Sequence, residues 1–133
     1  MFAGVADTHT ALWYMFGDPR LSAAAKAFID EAAQAPAKIA LSAISLAEIV
    51  YLVEKQRIPA TAYDDIKKAL RNSDHIFEEA PLQVPIVDAM QSVPRTDIPD
   101  MPDRIVAATA IYLGVPVISR DGRIRTSGVQ TVW

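Results

Sequence analysis

Short apolar runs alternate along this chain with longer segments whose apolar positions repeat at helical spacing. Five runs predict strands: Phe2 to Ala6, Lys38 to Leu41, Phe77 to Leu82, Val115 to Ser119 and Val129 to Val132. An alternation of strands with helical segments is typical of an α/β fold with a parallel sheet. The pattern therefore predicts helices packed around one mainly parallel sheet.

The segments between these runs carry start and stop signals for helices. The apolar positions Leu12, Trp13 and Phe16 predict a helix after the first strand, and Gly17-Asp18-Pro19 breaks it. Further helices are predicted from the cap residue Ser22 to about Gln34, from the cap residue Ser45 to Ile58-Pro59, from Thr61 to about Arg71, from Pro85 to Val93, and from Asp103 to Leu113 with Gly114 as its stop.

Length and composition predict a single domain over residues 1–133. Half of the chain, 51%, is hydrophobic, which is enough to bury a core. No apolar run approaches the roughly 18 residues that cross a bilayer, and no signal peptide is recognisable at the N-terminus. The absence of cysteine excludes disulfides and thiolate metal sites. We expect a cytoplasmic protein with no membrane segment.

The formal charge of −3, from 16 acidic and 13 basic residues, is not typical of a nucleic-acid-binding protein. The distribution of charge modifies this picture. Five of the eight arginines lie in the C-terminal part of the chain: Arg95, Arg104, Arg120, Arg123 and Arg125. These arginines either contact phosphate or are simply solvated.

Acidic residues stand where a parallel sheet places its ligands, beyond the carboxyl ends of the strands. Asp7 follows the first predicted strand and Asp121 follows the fourth. Glu48 lies early in the helix after the second strand, and Asp100 and Asp103 begin the last long helix. We therefore expect these five carboxylates to converge at one edge of the sheet.

A group of carboxylates without cysteine suits a hard cation, because Mg²⁺ and Mn²⁺ prefer oxygen ligands. Without a cation, closely spaced carboxylates would repel one another and shift their pKa values. Bound ions would relieve this repulsion, activate a water molecule and stabilise the charge that develops in phosphodiester cleavage. The predicted chemistry is metal-assisted phosphodiester hydrolysis.

Each acid also has a purely structural interpretation. Asp7 is a good cap for the first helix, and Glu48 is spaced to complete a capping box with Ser45. The segment Asp100 to Asp103 makes a good helix start. Asp121 begins a common turn pair with the following glycine. One residue can both cap a helix and bind a metal. The positions taken singly therefore decide little, and the joint placement of the acids is what favours a metal site.

Four segments, in order and spanning nearly the whole chain, resemble the acidic motifs of VapC-type PIN domains, the ribonuclease toxins of toxin–antitoxin pairs. They are residues 5–13 with 17–22, residues 41–49, residues 100–110 and residues 117–121. The resemblance implies a three-layer α/β/α fold with a mainly parallel sheet of about five strands. It also implies an RNA-cleaving site that binds Mg²⁺ or Mn²⁺.

The resemblance assigns catalysis and metal binding to Asp7, Glu48, Asp103 and Asp121, with Asp100 as an additional metal ligand. Among neighbouring residues, it implies that Thr8 orients the first aspartate and that Ser42 has a similar supporting role. Arg104 is predicted to contact phosphate or to pair with an acid of the site. Many relatives carry a histidine shortly before the third motif, where this chain has Ile98.

The same resemblance implies three partners: an RNA substrate, a VapB-like antitoxin and a second copy of the chain in a homodimer. Two other functions remain open: a protein-interaction module with little catalysis, and a nuclease or phosphatase acting on DNA or nucleotides. Trp13, Tyr14 and Phe16 offer rings for stacking on bases, but the helical spacing of Trp13 and Phe16 favours the core or a protein interface.

Overall fold

The computed structural model describes residues 1–133, and a five-stranded sheet lies at its centre. The strands are β1 (Phe2–Ala6), β2 (Lys38–Ser42), β3 (Phe77–Ala80), β4 (Val117–Ile118) and β5 (Thr131–Val132). Every neighbouring pair is parallel, in the order β3-β2-β1-β4-β5. The predicted mainly parallel sheet is confirmed, and the last three strands are shorter than their apolar runs suggested.

Seven α-helices connect and cover the strands. They are α1 (Thr8–Met15), α2 (Ala23–Gln34), α3 (Ala43–Glu54), α4 (Ala62–Arg71), α5 (Val84–Ala89), α6 (Met101–Leu113) and α7 (Gly122–Thr126), and a 3₁₀ turn at Met90–Ser92 follows α5. None of these helices has the length and apolar character that a bilayer span requires.

The strands bury both faces, which divides the core into two halves. Along β1, Ala6 packs with the side chains of α1 to α4, whereas its neighbour Val5 packs with those of α6 and α7. Leu41 and Ala40 of β2 alternate in the same way. This period of two follows from the pleat of a strand. The sheet is therefore the middle of three layers, as predicted.

The start of α3 differs from the prediction. Ser42, not Ser45, is the N-cap, and its Oγ accepts a hydrogen bond from the backbone N–H of Ile44 at 3.2 Å. Strand β2 runs directly into the helix without a loop, so the cap falls at the last strand residue. Ser45 is buried inside the helix, where its Oγ has no hydrogen-bond partner. The predicted capping box of Ser45 and Glu48 is therefore wrong. Helix α3 ends at Glu54, before the predicted end at Ile58-Pro59.

The C-terminal third begins and ends its helices largely as predicted. Helix α6 begins at Met101, two positions before the predicted start at Asp103, and its cap is Asp100, whose carboxylate accepts from the N–H of Asp103 at 3.2 Å. Gly114 closes α6 with a left-handed φ of 68°. The turn expected at Asp121 is instead the start of the short helix α7.

Candidate active site

A cavity of about 410 Å³ opens at the edge of the sheet where β1 and β4 end. Ten residues line it, and only one of them is hydrophobic. The lining includes all five acids named from the sequence: Asp7, Glu48, Asp100, Asp103 and Asp121. Because β1 is central and β2 and β4 flank it, the residues that follow these strands meet at the same edge.

Asp7 is held by hydrogen bonds to both of its carboxylate oxygens. Its Oδ1 accepts from the N–H of Thr10 at 2.9 Å and so caps α1, while its Oδ2 accepts from the hydroxyl of Ser119. The same Ser119 Oγ accepts from the N–H of Asp121 at 3.0 Å. Ser119 therefore connects two acids of the cavity. The sequence interpretation missed it, although a small polar residue just after β4 is a detectable signal.

Thr8 holds Glu48 rather than the first aspartate. Its Oγ1 donates to Glu48 Oε1 at 2.6 Å, although 40 residues separate the two in the chain. Thr8 is buried, which limits competition from water for this bond. Ser42 does not line the cavity, and its contribution is the cap that fixes the start of the helix carrying Glu48.

Two of the cavity acids have raised pKa values. Burial is the largest cause of the rise in the pKa of Asp103 to about 7, followed by the negative charges of Asp100 and Asp121. Burial also raises the pKa of Glu48, and the hydrogen bond from Thr8 opposes that rise. These directions are expected where carboxylates are desolvated beside one another. The ionised forms of these two carboxyl groups are therefore disfavoured in the cavity.

Asp121 and Asp100 combine a cap with a place in the cavity. Asp121 Oδ1 accepts from the backbone N–H of Arg123 at 2.8 Å, at the start of α7. Asp100 serves α6 in the same way. The Asp103 carboxylate, in contrast, accepts no hydrogen bond within the chain, so its charge is the least compensated. Three of the five acids are thus helix caps as well as cavity residues.

The lining of the cavity also carries positive charge, from two arginines that lie over an aromatic side chain. The Cζ atoms of Arg20 and Arg120 lie 5.1 Å and 4.7 Å from the centroid of the Trp13 ring. His9 and Trp133 also contact this ring, with centroid separations of 5.6 Å and 5.9 Å. The arginine contacts are favourable because the face of the ring attracts a cation. Trp13 is only 6% exposed, so it supports the two guanidinium groups from below and offers no free face to a base.

Arg104 and Ile98 lie outside the cavity. The Nε and Nη2 of Arg104 donate to the backbone carbonyls of Val93 and Met90 at 2.7 Å and 2.8 Å, which joins α6 to the 3₁₀ turn. The structure therefore shows neither the phosphate-facing position nor the acid partner predicted for Arg104. Ile98 is 1% exposed and belongs to the core, where a charged or polar accessory residue has no place.

Comparison with known proteins identifies the family. The profile of the PIN domain family matches residues 5–128. This chain belongs to the PIN domain family. It is also 28% identical over 130 residues to ribonuclease VapC22 of Mycobacterium tuberculosis, with 96% of this chain and 95% of that protein aligned. The resemblance to VapC-type PIN domains predicted from the four motifs is confirmed.

Solved structures share the fold of this PIN domain over nearly its whole length. VapBC2 from Rickettsia felis, bound to a DNA fragment from its promoter, superposes with a TM-score of 0.70 at 15% identity, covering 98% of this chain and 97% of that chain. A toxin–antitoxin complex from Klebsiella pneumoniae gives 0.64 at 17%, with coverages of 95% and 93%. FitAcB from Neisseria gonorrhoeae gives 0.62 at 21%, with coverages of 96% and 94%.

The donor set of this PIN domain fits a hard divalent cation. Its cavity offers carboxylate oxygens and no sulfur, which is the ligand chemistry that Mg²⁺ and Mn²⁺ prefer. In the present side-chain arrangement no three acidic or histidine side chains come close enough to hold one ion. Mg²⁺ needs only one or two carboxylates because it retains several waters, so this spacing is compatible with its binding.

Proposed function

We propose that this protein is a Mg²⁺- or Mn²⁺-dependent endoribonuclease that acts as the toxin of a VapBC-type toxin–antitoxin pair. One observation carries the proposal: five carboxylates from four separate segments of the chain line a single cavity at the edge of the sheet. The similarity to a protein named as a ribonuclease supports RNA as the substrate class. The proposed reaction is hydrolysis of an RNA phosphodiester bond.

In this proposal Asp7, Glu48, Asp103 and Asp121 are the catalytic carboxylates, and Asp100 is a further candidate ligand. A bound Mg²⁺ or Mn²⁺ would act as a Lewis acid and lower the pKa of a coordinated water. The chain positions the donors, because both oxygens of Asp7 are engaged by hydrogen bonds that fix their direction. The Asp103 carboxylate accepts no such bond and carries a raised pKa.

The hydrogen-bonded groups behind these acids have a supporting role in the proposal. Ser119 donates to the Asp7 carboxylate and accepts from the backbone N–H of Asp121, and Thr8 donates to one oxygen of Glu48. Carboxylates that are oriented by buried hydrogen bonds lose little freedom when an ion or substrate binds. We therefore assign Thr8 and Ser119 as positioning residues.

Two protein partners belong to the same proposal. A VapB-like antitoxin is proposed because structures that share this fold include a toxin–antitoxin complex and VapBC2. A homodimer is expected as well, and large apolar side chains exposed on α5 and α6, such as Val84 and Tyr112, supply a surface of the required character. Light scattering of the purified protein, alone and with a VapB-like antitoxin, measures both associations.

The direct test is cleavage of a mixed tRNA and rRNA pool by the purified protein with Mg²⁺, with Mn²⁺ and with EDTA. We expect metal-dependent cleavage that Asp7→Asn lowers at least about 100-fold, because this change removes an anionic donor without changing the side-chain shape. Asp74→Asn is the matched control, because Asp74 is exposed and lies before β3, at the other end of the sheet. Cleavage by Asp7→Asn at the wild-type rate would refute the site.

The same assay separates the two competing functions. Single-stranded DNA and nucleoside phosphates are offered beside the RNA pool under identical conditions. Preferential cleavage of DNA or release of phosphate from nucleotides would favour a different phosphate chemistry at this cavity. No hydrolysis of any substrate by protein freed of antitoxin would favour an interaction module instead.

A further inference from the structure

Arg120 is placed unusually for an arginine beside so many acids. It directly precedes Asp121, and both residues line the acidic cavity. Its guanidinium nevertheless takes part in none of the ion pairs or side-chain hydrogen bonds of the chain. Instead it lies over the Trp13 ring, with its Cζ 4.7 Å from the ring centroid, and its side chain is exposed to solvent.

The other arginine of the cavity is engaged differently. Arg20 also lies over Trp13, but its Nε and Nη2 donate to the two carboxylate oxygens of Asp18 at 3.1 Å and 2.8 Å. This bidentate pair lowers the pKa of Asp18 to about 2 and uses part of the guanidinium fork. Of the two arginines, only Arg120 forms no ion pair, so the N–H donors of its guanidinium are unpaired at the cavity lining.

The contact with Trp13 holds the guanidinium of Arg120 without using its N–H donors. A cation over an aromatic face is held by the ring quadrupole, which leaves the N–H groups in the guanidinium plane free to donate. Trp13 itself is buried and fixed by its contact with Trp133, so it provides a rigid base for the guanidinium. The arrangement holds a cation at the cavity without neutralising it.

A nucleic-acid strand meets an electrostatic problem at this cavity. The chain has a net charge of −3 and gathers five carboxylates at the place where a phosphate must arrive. An ion bound by the acids compensates for the charge at the reacting phosphate only. The neighbouring phosphates of the strand need cations supplied by the chain, and a guanidinium matches phosphate oxygens in a bidentate manner.

We propose that Arg120, held over Trp13, binds the RNA phosphate adjacent to the one that is cleaved. The proposal rests on the proposed function for the identity of the strand, and it assigns a substrate-binding site distinct from the carboxylates. Arg20 supports the site by fixing the same aromatic ring. An arginine that neutralises one phosphate of a single strand contributes about 0.7 to the slope of log K against log salt concentration.

The test compares Arg120→Gln with the wild type and with Arg125→Gln. Arg125 is an exposed arginine of α7 that does not line the cavity, so it controls for net charge. Binding of a fluorescent 20-nucleotide single-stranded RNA is followed by anisotropy in EDTA at several KCl concentrations. Cleavage of the same RNA in Mg²⁺ gives KM and kcat. Urea unfolding confirms that each variant is folded.

For Arg120→Gln we expect a roughly tenfold rise in Kd and KM at low salt, a salt slope reduced by about 0.7, and a smaller change in kcat. Arg125→Gln should retain the wild-type slope. Arg120→Lys keeps the charge but not the planar fork, so its slope should match the wild type while its Kd lies between the two.

The outcomes separate this site from the proposed function. Cleavage by the wild type with an unchanged salt slope in Arg120→Gln would refute the phosphate site and leave the nuclease standing. An Arg120-dependent slope in EDTA without cleavage in Mg²⁺ would support the site and refute the nuclease. A fall in stability of Arg120→Gln without any change in slope would show that Arg120 only balances the charge of the acids. Absence of both binding and cleavage in the wild type would refute both proposals.

Discussion

Replacing Asp103 with asparagine should stabilise the metal-free protein above neutral pH. The carboxyl is partly buried, accepts no hydrogen bond, and has a pKa raised from 3.8 to about 7 by burial and by four neighbouring carboxylates. Asparagine has nearly the same shape and no charge at any pH. The substitution therefore removes a repelled charge while keeping the packing at the start of α6.

The sign follows from the protons bound in each state. Between about pH 4 and pH 7 the folded Asp103 holds a proton that the unfolded chain has released, so the free energy of unfolding falls as the pH rises. The loss of stability caused by the ionised Asp103 is complete above about pH 7 and absent below about pH 4. A shift of roughly 3 units corresponds to about 4 kcal/mol at most, and partial exposure to solvent reduces this to about 2 kcal/mol.

Urea unfolding in EDTA, followed by tryptophan fluorescence at pH 4.5, 6, 7 and 8, measures the effect. At pH 8 we expect the Asp103→Asn midpoint to lie about 1 M above the wild-type midpoint, given slopes of about 1–3 kcal/mol per M for small proteins. At pH 4.5 the two midpoints should nearly coincide. Asp74→Asn, at an exposed aspartate far from the cavity, should follow the wild type at every pH.

Parallel pH profiles for the wild type and Asp103→Asn would refute this reasoning, because they would show that Asp103 titrates alike in the folded and unfolded chains. Mg²⁺ provides a second readout. An ion that relieves the repulsion should raise the wild-type midpoint at pH 8 and should raise that of Asp103→Asn less. An equal rise in both proteins would place the ion away from Asp103.

Two further substitutions test other parts of the site. Arg104→Met keeps the apolar stem of the side chain but removes two hydrogen bonds to backbone carbonyls. Urea unfolding should therefore show a free energy of unfolding that is lower by about 1.5–3 kcal/mol. An unchanged midpoint, equal to that of the exposed control Arg95→Met, would contradict this. Thr8→Val removes the hydrogen bond that lowers the pKa of Glu48, so that pKa should rise. The acid limb of the pH profile of cleavage should therefore move to higher pH, with roughly tenfold lower activity at pH 6 and recovery at pH 8. A profile that overlays the wild type and the exposed control Thr61→Val would show that Thr8 does not act on Glu48.

Local features of the fold were readable from the sequence because their signals lie within a few residues. The first apolar run predicted β1 over its full range, and Ser22 was correctly predicted to cap α2. Gly114 was correctly predicted to end α6, where its left-handed φ favours glycine. The wrong cap at α3 also has a local cause. Ser42 and Ser45 are both competent caps, and only the direct passage of β2 into the helix selects Ser42.

The candidate site was predictable to the extent that it follows from parallel-sheet geometry. Acids placed just after strands or at helix starts meet at one edge of such a sheet, whatever the order of its strands. The four sequence motifs supplied the same five acids independently, and the structure places all five around one cavity. Their role in metal binding and catalysis stays a prediction until cleavage is measured.

The tertiary structure alone decided which residues touch one another within the site. The bond from Thr8 to Glu48 and that from Ser119 to Asp7 join residues 40 and 112 positions apart, and they depend on strand order and helix packing. The same is true of the direction taken by Arg104 and of the burial that raises the pKa of Asp103. A sequence pattern records the period and ends of its elements. Long-range contacts and burial arise only when those elements pack, so the sequence by itself determined which acids are candidates and the packing determined how each is held.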